Sequence, residues 1–144
     1  MSCQININKC MPHREGTHQT FTSSENGCTH VGINVDRNVV RQFKVDGEVL
    51  QEGHADSRCD YILLNDDKKS SYYIELKGSD LKKAIQQIED TINMIAPSIP
   101  TYMVFRRIIY RTGSHDVHDS KVTFWKGKNK GSVIIKSRML EENI

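Results

Sequence analysis

Two β-prone runs and an amphipathic helical stripe, crowded into residues 59–96, constrain this chain more than any other feature. Tyr61-Ile62-Leu63-Leu64 is joined by a short polar connection, Asn65 to Ser71, to Tyr72-Tyr73-Ile74-Glu75-Leu76-Lys77. A connection of that length folds strands Cys59–Asn65 and Ser71–Gly78 into a hairpin. Gly78-Ser79 ends the second strand, and Ser79 or Asp80 is suited to cap a helix. Leu81, Ala84, Ile85, Ile88, Ile92 and Ile95 then fall at helical spacing and form one apolar stripe. The helix has to stop by Ala96, because Pro97 and Pro100 bracket a break. Thr101 to Ile109 returns to β character. Antiparallel strands followed by a crossover helix and another strand imply a mixed sheet in an α/β (α+β) fold.

Outside this stretch the pattern is uneven. Val39 to Val45 is β-rich, and Asp46-Gly47 is a turn signal leading into Glu48-Val49-Leu50. Residues 1–38 are rich in Asn, Thr, Ser, His and Gly, which predicts a loop-rich N-terminal lead-in. After a polar loop from Thr112 to Ser120, the runs Val122–Trp125 and Ser132–Lys136 flank Lys126-Gly127-Lys128-Asn129-Lys130-Gly131. That pattern reads as a C-terminal β-hairpin with a cationic tip. A length of 144 residues, 37% of them hydrophobic, suits one compact domain.

Alternation along a strand puts Tyr72, Ile74 and Leu76 on one face and Tyr73, Glu75 and Lys77 on the other. The hairpin returns Asp60 to the neighbourhood of Glu75 and Lys77. Two carboxylates and a lysine at one sheet edge is the composition of a divalent-metal hydrolytic site. Hard cations prefer carboxylate oxygens, usually one or two from the protein, and a nearby amine can pair with a phosphate or hold the water. The plainer alternative is a solvated Glu75–Lys77 ion pair worth about 0–1 kcal/mol.

Asp60, then Glu75-x-Lys77 at the end of the next strand, then an amphipathic helix, resembles the PD-(D/E)XK nuclease superfamily with its restriction-endonuclease-like core. The resemblance covers roughly Val39 to Phe105, with Cys59 where the family name has proline. It implies a core of three strands, a helix and a further strand, and makes residues 39–144 a single nuclease-like domain. It also implies a nuclease of DNA, or of RNA, in which Asp60 and Glu75, with the Leu76 carbonyl, bind Mg²⁺ or Mn²⁺. Lys77 would orient the attacking water, and Gln87 is an accessory polar residue. Many members place a further Glu on an N-terminal helix; here Glu25 and Glu48 are loose candidates. A homodimer would let a nuclease of this size cut a duplex. The alternative is a non-catalytic nucleic-acid-binding or interaction subunit on the same fold.

Other residues carry weaker signals. Lys126, Lys128 and Lys130, with Phe124 and Trp125 before them, would track a phosphate backbone while an aromatic ring stacks on a base; otherwise they form a solvated turn. Arg106, Arg107 and Arg111 add cations, but alternation sends Arg106 and Arg107 to opposite faces. Cys10, His13, Cys28 and His30 are the thiols and imidazoles of a zinc set, at spacings unlike common zinc fingers. His115 and His118, and His54 with Asp56, read as polar loop residues. A formal charge of +2 excludes a strongly cationic coat protein. With no signal-like start and no apolar run of about 20 residues, the chain reads as a cytoplasmic protein outside the membrane.

Overall fold

The computed structural model describes residues 5–50, 57–77, 80–111 and 115–144. Its elements are β1 (Arg14–Gly16), β2 (Thr20–Glu25), β3 (Cys28–Ile33), β4 (Val40–Lys44), β5 (Tyr61–Asn65), β6 (Ser70–Lys77), α1 (Leu81–Ile95), β7 (Met103–Tyr110), α2 (Ser120–Lys128), β8 (Val133–Ser137) and β9 (Met139–Asn143). Six strands make one sheet in the order β1-β4-β5-β6-β7-β8, and three make a second, β2-β3-β9. In the large sheet β4, β5 and β6 are antiparallel neighbours, while β7 and β8 run parallel to β6. The fold is α+β with a mixed sheet.

Local chemistry accounts for the central elements. Asn65 pairs with Ser70 across the β5–β6 turn, and the Asn65 Oδ1 accepts the Lys68 N–H at 3.0 Å. Asp80 caps α1, its carboxylate accepting the Lys83 N–H at 3.0 Å. Leu81, Ala84, Ile88, Ile92 and Ile95 are buried, and the helix stops where Pro97 enters a 3₁₀ turn. Both helices cover one face of the large sheet, where Ile62, Leu64, Tyr73, Ile88, Ile108 and Trp125 share a core. The small sheet covers the other face, against Leu63, Tyr72, Ile74, Leu76 and Ile109. Burial from both sides explains the continuous apolar runs of β5 and β6.

Two expectations fail at the termini. The predicted loop-rich lead-in, residues 1–38, contains three strands: β1 extends the large sheet and β2–β3 builds the small one. The buried positions of β3 are Cys28, His30 and Gly32, so its alternation is real but is not written in apolar residues. The predicted C-terminal β-hairpin is also absent. Residues 120–128 are helical, with Asp119 accepting the Lys121 N–H at 2.8 Å, and Val122 and Trp125 bury one side at helical spacing. β8 then joins β7 in parallel, and a kink at Arg138 (φ 63°) sends β9 to the small sheet beside β3. Among the described residues, no helix is long and apolar enough to cross a membrane.

Candidate active site at the end of β6

The hairpin register assembles the site. Tyr61 pairs with Ile74 and Ile62 with Tyr73, so the ladder ends just before Asp60 and brings its carboxyl beside that of Glu75. The Asp60 N–H still reaches the Ile74 carbonyl at 3.1 Å, and the Leu76 N–H donates to Asp60 Oδ2 at 2.8 Å. Like charges held side by side on neighbouring strands are unfavourable. Lys77, on the same face as Glu75, holds its Nζ 3.6 Å from Glu75 Oε2. That amine also donates to Gln87 Oε1 at 3.0 Å, and Gln87 Nε2 donates to the Arg58 carbonyl at 3.1 Å. α1 therefore fixes the direction of the lysine.

Thr91, one turn along α1, anchors the start of β5. Its hydroxyl accepts the buried Cys59 N–H at 2.8 Å and donates to the Gln87 carbonyl at 2.7 Å. Thr91→Val keeps the volume but strands that N–H, so it should cost about 1–3 kcal/mol in denaturant unfolding. An unchanged midpoint would show that Cys59 finds another acceptor.

The two acids are electrostatically costly. Glu75 is 2% exposed. Burial is the main cause raising its pKa, the Asp60 charge adds to it, and Lys77 opposes both. Asp60 is also raised by burial first; the Leu76 N–H works against that, and the Glu25 carboxylate adds to it. Among the described residues Glu75 Oε1 is buried with no hydrogen-bond partner, although the Asp60 carboxyl lies beside it. Both facts hold together because two ionised carboxylates only accept. A proton or a cation between them removes the conflict.

The donor set suits a hard divalent cation. Asp60 and Glu75 supply the carboxylates, and Leu76 supplies a carbonyl that accepts the Asn26 amide at 3.0 Å and retains a second lone pair. Among the described residues no group of three or more His, Cys, Asp or Glu side chains forms a metal site. Glu25 nevertheless bears on Asp60 from the end of β2. It is carried there by a tight turn in which Asn26 and Gly27 adopt φ 53° and 74°, the conformation that Asn-Gly favours in hairpins. Glu48, the other candidate, pairs instead with His13 at 2.9 Å.

Several predicted residues lie elsewhere. Trp125 is buried in the core under α2 and cannot stack on a base. Lys126 and Lys128 belong to the last turn of α2 rather than a hairpin tip, and Lys130 follows it. β8 begins opposite Arg106, whereas Lys77 lies opposite Tyr110. Four residue rises, about 13 Å, thus separate the three lysines' end of the sheet from the site. Arg106 pairs with Glu89 on α1 and Arg107 with Glu142 on β9, as opposite faces require. The zinc set does not converge: His13 meets Glu48, His30 meets Glu142, and Cys10 and Cys28 are free thiols. His115 and His118 bound a 3₁₀ turn rather than a loop, while His54 and Asp56 lie outside the described residues. Compared with protein-family models, curated proteins and solved structures, the chain and its fold match none of them.

Proposed function

We propose that this protein is a divalent-metal-dependent nuclease that hydrolyses phosphodiester bonds of DNA, with RNA as the other substrate class. The reading rests on one observation above the rest: the Asp60 and Glu75 carboxyls are neighbours at the end of the β5–β6 hairpin, partly or fully out of water, with the Lys77 amine 3.6 Å from Glu75. The order β4-β5-β6-α1-β7, three antiparallel strands, a helix and a parallel strand, supports a restriction-endonuclease-like core.

In this mechanism Asp60, Glu75 and the Leu76 carbonyl would hold Mg²⁺ or Mn²⁺. Such an ion screens phosphate charge and lowers the pKa of water. Lys77 donates to the phosphate or orients the attacking water, and Gln87 holds its amine in place. The test is Mg²⁺- or Mn²⁺-stimulated cleavage of labelled DNA and RNA. Asp60→Ala and Lys77→Ala should each lower the rate by at least about 10²-fold. Full activity in either variant ends the mechanism.

One observation favours a second reading, a non-catalytic nucleic-acid-binding subunit: the Leu76 carbonyl is already engaged by Asn26. That reading predicts salt-sensitive binding with no metal-stimulated turnover.

A further inference from the structure

The C-terminal ends of β6, β7 and β8 lie side by side, since Lys77 pairs with Tyr110 and Tyr110 with Ser137. One residue beyond two of these ends stand Arg111 and Arg138. The Arg111 N–H donates to the Lys77 carbonyl at 3.1 Å, and the Arg138 N–H donates to the Tyr110 carbonyl at 2.7 Å. Neighbouring strands are about 4.8 Å apart, so the backbones of Lys77, Arg111 and Arg138 step along one edge of the large sheet, with the Lys77 side chain turned toward Gln87 on α1. The stem of Arg111 lies against Gly27, where an added Cβ would meet its Cδ at 3.0 Å. The acid-bearing turn and this arginine therefore touch. Both guanidiniums also act on Cys28, whose sulfur is 3.6 Å from the Lys77 carbonyl.

Among the described residues these two cations are uncommitted. Arg41, Arg58, Arg106 and Arg107 each face a carboxylate within 2.8 Å. Arg111 and Arg138 are exposed and make no ion pair among the described residues. Glu25 and Asp60, the acids of this end, repel a polyanion, so a nucleic acid reaching it needs cations not already neutralised. Guanidinium suits phosphate through its planar, two-pronged donor set.

We propose that Arg111 and Arg138 form a phosphate-binding rim that seats a nucleic-acid backbone beside Lys77. The class of partner rests on the nuclease reading. Lys126, Lys128 and Lys130, at the other end of the sheet, take no part in this contact.

The experiment measures binding of fluorescein-labelled duplex DNA by anisotropy, in EDTA, across a salt series. The double variant Arg111→Gln/Arg138→Gln should bind at least about 10-fold more weakly, and the slope of log affinity against log salt should fall by about 2. The triple variant Lys126→Gln/Lys128→Gln/Lys130→Gln should retain the wild-type slope. Melting temperatures should match wild type, since both arginines are exposed. Wild-type affinity and slope in the double variant overturn the rim even when metal-dependent cleavage is present. Rim-dependent binding without cleavage overturns the nuclease reading and leaves the rim standing. Absence of DNA binding by the wild type, or preference for anionic vesicles over DNA, overturns the rim, while the cleavage assay decides the nuclease reading separately.

Discussion

Glu75→Gln is expected to abolish metal-dependent cleavage while making the metal-free protein more stable at pH 8, by about 2 kcal/mol. The carboxyl is buried beside Asp60, and among the described residues one of its oxygens has no hydrogen-bond partner. Its folded pKa is therefore raised above the unfolded value. A raised pKa means that the folded state holds the proton more tightly. The associated stability is complete below the ordinary carboxylate range, near about pH 4, and is lost as pH climbs toward the raised value. Glutamine removes that loss, so its stability should be flat where the wild type declines. Added Mn²⁺ should raise the wild-type melting temperature and leave the variant's unchanged, because a ligand stabilises only the form that binds it. A variant less stable than wild type at pH 8, or one that still cleaves, would mean that Glu75 is an ordinary structural acid.

Arg107→Ala should cost about 3–5 kcal/mol, because it removes one partner of a buried charge network. Arg107 donates to Glu142 through Nε at 2.8 Å and through its second terminal nitrogen at 3.0 Å. It also reaches the Ser132 carbonyl at 2.7 Å and packs its guanidinium over the stacked rings of Tyr72 and Phe105. Glu142 in turn holds the fully buried His30 at 2.7 Å. Burial pushes the Glu142 pKa up, but His30 and Arg107 outweigh it and the net shift is downward. A lowered pKa gives stability that is present above the ordinary carboxylate range and lost on acidification. The penalty of the alanine variant should accordingly shrink as pH falls below the ordinary carboxylate range and through the lowered value, where Glu142 becomes protonated in the wild type as well. Urea unfolding measures the loss, and hydrogen exchange across residues 139–143 should accelerate with it. A penalty under about 1 kcal/mol would put the link between the sheets elsewhere, in the apolar contacts between the layers.

The legible parts of the chain were those whose chemistry matches their period. The stripe from Leu81 to Ile95 is strictly helical and lies on the core. The polar turn between Asn65 and Ser70 fixes a register, and that register carries Asp60 to the end of β6 beside Glu75. The small sheet was hidden because β3 buries a cysteine, a histidine and a glycine, which carry no hydrophobic signal. Its one readable mark was Asn26-Gly27, the dipeptide that brings Glu25 to Asp60. α2 departs from its sequence pattern for the opposite reason. Val122-Thr123-Phe124-Trp125 is β-prone by composition, yet burial of Val122 and Trp125 against α1 and the sheet selects a helix. Phe124 is left 71% exposed by that choice.

The parallel pairing of β3 with β9 joins Thr29 to Met139, residues 110 positions apart. Closing so long a loop is entropically costly and slows folding. During synthesis the β2–β3 hairpin thus emerges with one flank bare, and it stays so until residues 139–143 leave the ribosome. The layer that carries Glu25 and Asn26 toward Asp60 and Leu76 is completed only at that stage. A ribosome-bound chain stalled before residue 139 would lack the finished small sheet beside Asp60, and digestion within residues 20–33 by a protease would report it.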